Sequence, residues 1–283
     1  MNYDEAREKR IDIFNDTMEL CMKNSRLSES VNATRKGTVY YAPDAHPKFS
    51  PKGSDTEINV TSERTFEAAK RLSQKHRGKK IAVLNFASAT NPGGGVKRGS
   101  SAQEEALCRT STLYPCINTD ELFGKYYKPH RNKGDVRYTD ACIYTPDITV
   151  FKSDTSFPEV LPENQWFCTD VITCAAPNLR EKPYNPMNPG KGTAIRLSDS
   201  ELLSLHKKRG KHILEIAAAN GADVIVLGAF GCGAFRNDPN VVAKAYSELL
   251  EDFKGSFDEI VFAVYCAPND TKNFEIFKKN LIE

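Results

Sequence analysis

Short apolar runs alternate with amphipathic stretches over most of the chain. Runs of strand length occur at 56–60, 80–86, 142–151, 165–175, 223–228 and 259–266. Several are rich in Val, Ile and Phe, which is typical of strands buried on both faces of a sheet. Between them, apolar residues recur at helical spacing over 63–75, 102–113, 199–220, 239–253 and 271–282. The alternation predicts an α/β fold.

Two stretches depart from this alternation. Residues 3–22 have a helical pattern, and a polar span containing residues 32–37 follows it. Because no linker rich in Pro, Gly or Ser divides the chain, we interpret residues 1–45 as a helical extension packed on a main domain of residues 46–283. Residues 123–140 are polar, aromatic and basic. We expect a long surface loop there.

The charge balance restricts the partners. The 283 residues include 39 Lys and Arg against 37 Asp and Glu, which argues against bulk capture of nucleic acid and favours local recognition of any polyanion. The N-terminus has no apolar signal region and no run could span a bilayer. We therefore expect a protein that binds no membrane and no specific nucleic acid sequence, and that lies in the cytoplasm, or in the nucleus of a eukaryote.

The cysteines and histidines predict no metal site. The eight cysteines are scattered without a CxxC pair, so we interpret most of them as buried thiols rather than as zinc ligands or disulfides. Cys232 is the exception because it lies in a glycine loop, but no His is near it in sequence to activate it. The five His residues show no metal-ligand spacing.

A glycine loop with paired acids is the most informative motif. Gly93, Gly94 and Gly95 follow the apolar run at 80–86, and Gln103, Glu104 and Glu105 come after a spacer of seven residues. Glycines let backbone amides approach an anion closely, and a helix that begins after them adds a positive dipole. The alternative is that the acids only complement the dipole of a helical first turn. We favour a nucleotide-like ligand held by its phosphates, with a Glu acting on its sugar.

A second glycine loop, at 228–235, also follows an apolar run and precedes a helix. Ligands of open α/β sheets bind at the carboxyl ends of strands, so the two loops could grip a diphosphate from both sides. A lone glycine turn is equally typical of a tight strand-to-helix connection. Arg236 stands where a dinucleotide fingerprint needs its third glycine, and Lys97 does not fit the spacing of a P-loop.

The two acids are adjacent in sequence. On a helix their side chains would diverge by about 100° and could not flank one bond as an ordinary glycosidase pair does. One Glu is then expected to do most of the proton transfer.

The glycine triplet, the spacer, the Gln-Glu-Glu triplet and the loop at 231–235 together resemble the microbial-type poly(ADP-ribose) glycohydrolases. The resemblance extends over 56–72 and 106–112. It implies a macrodomain-like three-layer α/β/α fold with a mixed central sheet. It also implies hydrolysis of ribose–ribose bonds in poly(ADP-ribose), with release of ADP-ribose and without a cofactor.

The resemblance further implies a role for each site residue. Glu105 is the general acid and base, Glu104 holds ribose hydroxyls, and Gln103 supports them. The glycine loops bind the diphosphate, Phe235 orients the scissile ribose, and Asn85 and Asn91 are both candidates for contacts to it. Lys97 and Arg98 either screen phosphates or are simply solvated. The full set of predicted substrate-binding residues is Asn85, Asn91, Gly93, Gly94, Gly95, Gln103, Gly231, Cys232, Gly233, Ala234 and Phe235.

Two other functions stay open at this stage. One is a module that binds ADP-ribose without cleaving it, although such a module would have no use for an acid aimed at the distal ribose. The other is a hydrolase for single ADP-ribose units attached to proteins. The expected partners are poly(ADP-ribose), ADP-ribose and ADP-ribosylated proteins, and we expect a monomer.

Overall fold

The computed structural model describes residues 2–53, 55–185, 188–267 and 269–283. Its strands are β1 (Val39–Tyr41), β2 (Glu57–Thr61), β3 (Ile81–Phe86), β4 (Cys142–Val150), β5 (Phe167–Cys174), β6 (Val224–Leu227) and β7 (Glu259–Ala263). Within the described residues they form one seven-stranded sheet in the order β1-β4-β5-β3-β6-β7-β2. The six apolar runs are thereby confirmed as strands.

The sheet is mixed. β5, β3, β6, β7 and β2 are parallel, whereas β4 pairs antiparallel with both β5 and β1. β3 lies at the centre, with Val83 paired to Val171 of β5 and to Val226 of β6. Because both faces of the sheet are covered, the inner strands β3, β6 and β7 are buried at every residue except the partly buried Phe86.

Helices cover both faces. They are α1 (Tyr3–Lys23), α2 (Ser25–Gly37), α3 (Thr65–Lys75), α4 (Gln103–Thr110), α5 (Leu113–Ile117), α6 (Asp120–Leu122), α7 (Lys128–Lys133), α8 (Asp199–Ala219), α9 (Pro239–Leu250) and α10 (Lys272–Leu281). One core cluster contains buried residues of α8, α9 and α10, and another contains those of α1 to α5. The predicted three-layer α/β/α fold with a mixed sheet is confirmed.

The N-terminal segment has more structure than its sequence suggested. The span after residue 22 is helix α2, because Leu27, Val31 and Thr34 recur at helical spacing and are buried. The short strand β1 was missed, although it lies before residue 45 and pairs with β4. The division of the chain at residue 45 stays a prediction.

The interpretation of residues 123–140 as a surface loop is wrong for residues 123–133, whereas residues 134–140 contain no helix or strand. Phe123–Tyr127 form a π-helical turn that continues into α7, and Tyr126, Tyr127 and His130 are buried. The aromatic residues face the interior and the lysines face solvent, so a mixed composition concealed an amphipathic segment. The predicted helix over 102–113 is also interrupted: α4 ends at Thr110 and α5 begins at Leu113, because Ser111 forms a bridge with Val150.

Both glycine loops lie at the same edge of the sheet. One follows β3 and leads through a 3₁₀ turn (Val96–Arg98) to α4, and the other follows β6 and leads to α9. Because β3 and β6 are parallel neighbours, the loops at their carboxyl ends face a common cleft.

Candidate active site

The loop after β3 is folded so that its amides point inward. Gly93 and Gly94 have positive φ angles of 66° and 56°, a region that only glycine adopts readily. The Gly94 amide donates to the Asn91 carbonyl at 2.9 Å, and the Gly95 amide donates to Glu105 Oε1 at 2.8 Å. The sequence predicted that these amides bind phosphate, but in the structure both already donate hydrogen bonds within the protein.

Gln103 fixes the start of α4 to the end of β3. Its Oε1 accepts from the Phe86 amide at 2.9 Å, and its Nε2 donates to the Leu84 carbonyl at 2.8 Å and to Thr65 Oγ1 at 3.0 Å. A side chain that satisfies backbone groups of a strand end holds the helix in register with that strand. Gln103 thus fixes the position of the first turn of α4, from which Glu104 and Glu105 reach the cleft.

The two carboxylates converge, contrary to the expectation that they diverge. A Cβ atom placed on Gly94 would lie 2.5 Å from Glu105 Oε1 and 3.0 Å from Glu104 Oε2. Glu104 Oε2 accepts from the Ser88 amide at 2.7 Å. The glycine loop folds back over the first turn of α4, so both acids can bend toward one point despite their helical separation.

Each acid keeps one oxygen without a partner. Glu104 Oε1 and Glu105 Oε2 are buried and have no hydrogen bond within the described residues. Leaving a buried carboxylate oxygen unpaired is costly, and such groups are typical of sites where a substrate supplies the missing partner.

Burial dominates the protonation of both acids. It raises the pKa of Glu104 well above its usual value, and the charge of Glu105 raises it further, while the Ser88 amide lowers it. Burial also raises the pKa of Glu105, against the Gly95 amide and the charge of Arg109, which lower it. The pair therefore favours holding a proton at a pH where an exposed Glu has lost it.

The loop after β6 contrasts with the first loop. Gly233 and Ala234 are exposed, and no hydrogen bond within the described residues uses the amides of Gly233, Ala234 or Phe235. The backbone at Gly231 is closely packed, since a Cβ there would lie 2.6 Å from Ala176 Cβ. Consecutive open amides before a helix form a concave anion site.

A cleft of about 800 Å³ joins these parts, a volume that suits a ligand of nucleotide size. Of the predicted site residues, it is lined by Gly94, Gly95, Gln103, Glu104, Glu105, Gly231, Gly233, Ala234 and Phe235.

The other predicted site residues have contacts inside the protein. Asn85 is buried and donates to Thr173 Oγ1 at 3.1 Å, and its side chain lowers the pKa of Glu104. Asn91 donates to the Gly94 carbonyl, and Gly93 packs against Tyr114. Burial raises the pKa of the Cys232 thiol, which keeps this thiol protonated.

Several cleft residues carried no signal in the sequence. Arg180 lies over the ring of Phe235, 5.6 Å from its centroid. Asn188 accepts from Ser88 Oγ at 2.8 Å, next to the amide that holds Glu104. Both lie between β5 and α8, outside any helix or strand. A periodic pattern of apolar residues could not indicate them there, and the sequence shows only an isolated Arg and an isolated Asn.

Arg109 was missed although it lies on the same helix as the acids. It is 2% exposed, and its Nη1 donates to the Ser100 carbonyl at 2.6 Å. The Ser100 amide donates in turn to the Gly95 carbonyl at 3.2 Å. The spacing of four residues from Glu105 was the available signal, because it places both side chains on one helix face.

Two classes of site have no counterpart in the described part of the chain. No three His, Cys, Asp or Glu residues there come together as metal ligands. No described helix is long and apolar enough to cross a bilayer.

Known proteins resemble this chain in both sequence and fold. Residues 8–153 match the family model for the catalytic domain of microbial-type PARG. The structure of poly(ADP-ribose) glycohydrolase (PARG) from Thermomonospora curvata has a TM-score of 0.84 and 30% identity, over 96% of this chain and 99% of that chain. The same enzyme bound to the inhibitor ADP-HPD has a TM-score of 0.82 and 31% identity, with the same coverage.

A further similar structure is the poly(ADP-ribose) glycohydrolase from Deinococcus radiodurans in complex with ADP-ribose. It has a TM-score of 0.73 and 34% identity, over 89% of this chain and 96% of that chain. A comparison with curated protein sequences finds no match.

Proposed function

We propose that this chain, which belongs to the microbial-type poly(ADP-ribose) glycohydrolase family, hydrolyses ribose–ribose O-glycosidic bonds of poly(ADP-ribose) through one acid, Glu105. One observation carries the proposal. Glu104 and Glu105 each present a buried oxygen without a partner beside a loop of open amides. A module that only binds ADP-ribose needs the amides but gains nothing from burying two unpaired carboxylates.

Glu105 is proposed as the general acid and then the general base. Its raised pKa lets it begin protonated and give its proton to the departing ribose hydroxyl oxygen as the C–O bond breaks. The carboxylate then takes a proton from water while the water oxygen bonds to the anomeric carbon. The acid is regenerated, and ADP-ribose is released.

Glu104 is proposed to hold the ribose and not to transfer the proton. Its Oε2 is fixed by the Ser88 amide, so Oε1 is the atom left to accept from a ribose hydroxyl. A ribose held through this oxygen would have its anomeric carbon positioned over Glu105, and positioning is worth several orders of magnitude in rate.

The diphosphate is proposed to bind the amides of Gly233, Ala234 and Phe235, next to the N-terminus of α9. Phe235, with Arg180 over its ring, would pack on the scissile ribose. The diphosphate can stabilise positive charge that develops on the ribose, so we propose that no metal or organic cofactor takes part, and that turnover persists in excess EDTA.

The proposed partners are poly(ADP-ribose) and ADP-ribosylated proteins, without membrane or sequence-specific nucleic acid binding. We further propose a monomer that acts in the cytoplasm, or in the nucleus of a eukaryote. The nearly balanced charge of the chain supports recognition of the polymer by the cleft rather than by the whole surface.

A digest of a protein carrying labelled poly(ADP-ribose) tests this function. We expect ADP-ribose as the product, with the last unit left on the protein, because its ester or serine linkage presents a different leaving group. Binding without products would establish a reader. Complete loss of label from a protein that carries single units would establish a mono-ADP-ribosyl hydrolase.

A further inference from the structure

Four cations and one tyrosine lie together at one end of the cleft, outside the diphosphate loop. We call this group the α1 rim and define it as Tyr3, Arg7, Arg10, Lys97 and Arg98. Tyr3 and Arg10 line the same cleft as Glu105, while Lys97 and Arg98 are exposed on the turn that follows the glycine triplet. None of these residues takes part in the mechanism proposed for the scissile ribose.

The rim is built onto the catalytic loop. Arg7 Nε donates to the Arg98 carbonyl at 2.8 Å, and Arg10 Nε donates to the Gly99 carbonyl at 2.6 Å. A Cβ on Gly99 would lie 2.4 Å from the Arg7 carbonyl oxygen, so only glycine permits the approach of α1. The rim therefore keeps a fixed position relative to Glu105.

The cations of the rim are not paired with carboxylates. Within the described residues none of its Arg and Lys side chains forms an ion pair, and Arg7 and Arg10 each use only Nε in a hydrogen bond. The acids of α1, such as Asp4, Glu8 and Asp12, are exposed and lie on other faces of the helix. In a chain of formal charge +2, this is a local excess of positive charge.

The rim is connected to Glu105 by a short path. Glu105 Oε1 accepts from Gly95, the Gly95 carbonyl accepts from Ser100, and Gly99, next to Ser100, is held by Arg10. The diphosphate loop lines the same cleft but is a separate segment, in which Gly231 packs on Ala176 and Asn237. If the cleaved unit binds that loop, as proposed, the rest of the polymer leaves from the neighbourhood of Glu105.

We propose that the α1 rim is a second subsite, which binds the ADP-ribose unit on the leaving-group side of the scissile bond. Arg10 and Arg98 contact the diphosphate of that unit, and the ring of Tyr3, which is 74% exposed, stacks on its adenine. Arginine suits this role because its planar donors match phosphate oxygens. The inference rests on the proposed function.

The test compares two substrates that differ only beyond the scissile bond. One is poly(ADP-ribose), and the other is an aryl glycoside of ADP-ribose, whose leaving group is a phenol without phosphate. The variant is Tyr3→Ser with Arg98→Gln, because neither side chain forms a hydrogen bond with the catalytic loop within the described residues. Lys244→Gln, an exposed cation on α9, is the matched control.

We expect kcat/KM on the polymer to fall about tenfold, the equivalent of roughly one charge-assisted hydrogen bond, and to depend less on salt than in the wild type. Cleavage of the aryl glycoside and affinity for ADP-ribose should not change. An equal loss on both substrates would show that the rim only positions the loop, and no loss on either would show that it binds nothing. Both results would overturn the subsite. A wild-type protein that cleaves neither substrate would overturn the proposed function itself.

Discussion

The two glycine loops of the cleft look alike in sequence but differ in what their amides do. In the loop after β3, the Gly94 and Gly95 amides donate to acceptors inside the protein, including the carboxylate of Glu105. In the loop after β6, the amides of Gly233, Ala234 and Phe235 have no partner within the described residues. The first loop positions the carboxylate of Glu105, and the second has free amides that can bind an anion.

A glycine-rich turn at the end of a strand is therefore not by itself a phosphate site. The number of amides that remain available after the loop has folded decides its function, because each backbone donor can be satisfied only once at full strength. Two loops that supply different parts of one reaction should respond to substitution in different kinetic parameters.

The largest effect is expected for Glu105→Gln. The amide keeps the volume of the side chain and can still accept from Gly95 through its oxygen, but it cannot give or take the proton. Turnover should fall by about 10²–10⁴-fold, while calorimetric titration shows that ADP-ribose still binds. Near wild-type release of ADP-ribose would remove Glu105 from the mechanism. Glu104→Gln, as the matched variant, should keep more activity.

Gly94→Ala should disturb the first loop and leave the second intact. The added Cβ would lie 2.5 Å from Glu105 Oε1, at a residue whose φ is +56°, so the loop or the carboxylate must move. A displacement of about 1 Å at a catalytic group can cost roughly 10²-fold in rate. We expect kcat to fall by about that factor and the Kd for ADP-ribose to change little. A loss of affinity with an unchanged kcat would reverse the assignment.

Gly233→Val should have the opposite profile. No atom lies within 4 Å of a Cβ on Gly233, so folding should be unaffected, but the side chain would block approach of a diphosphate to the amides. We expect a Kd for ADP-ribose raised roughly tenfold, the equivalent of about one hydrogen bond to a charged group.

Gly124→Val is the matched control for this substitution. Gly124 is also exposed and has open space around its Cβ position, but it lies on the π-helical turn and does not line the cleft. Its affinity for ADP-ribose should equal that of the wild type. An unchanged Kd in Gly233→Val would place the diphosphate elsewhere.

The smallest effect concerns stability. The pKa of Glu104 is raised in the folded protein above the value of 4.5 for an unperturbed Glu, so the folded state binds this proton more tightly than the unfolded state does. Stability from this group is present below about pH 4.5 and is lost as the pH rises toward the folded pKa. In thermal unfolding across pH, Glu104→Gln should therefore gain stability over the wild type as the pH rises. A constant difference between the two proteins would contradict the buried, protonated acid.

Much of the fold was predictable because it depends on local patterns. The strand β3 is apolar except for Asn85, and α9 carries Val242, Ala245 and Leu249 on one face. The signature formed by the glycine triplet and Glu104 and Glu105 is likewise contiguous. These features need no knowledge of distant parts of the chain.

The rest depends on contacts between distant residues. Arg7 and Arg10 meet carbonyls about ninety residues away, and nothing in their helix indicates which loop they reach. The two acids converge because the glycine loop folds back over the first turn of α4. The geometry of the helix alone does not predict this contact. In residues 123–140, burial of Tyr126 and Tyr127 overrides the polar composition.

The division of labour between the loops can be tested directly by following their amides. A deuterated, ¹⁵N-labelled protein would be titrated first with inorganic diphosphate and then with ADP-ribose, and the backbone resonances of both loops compared. We expect large shifts at Gly233, Ala234 and Phe235, with Gly94 and Gly95 nearly unchanged by diphosphate alone. Shifts at Gly94 and Gly95 as large as those of the β6 loop would show that both loops bind phosphate, and that the two loops do not differ in function.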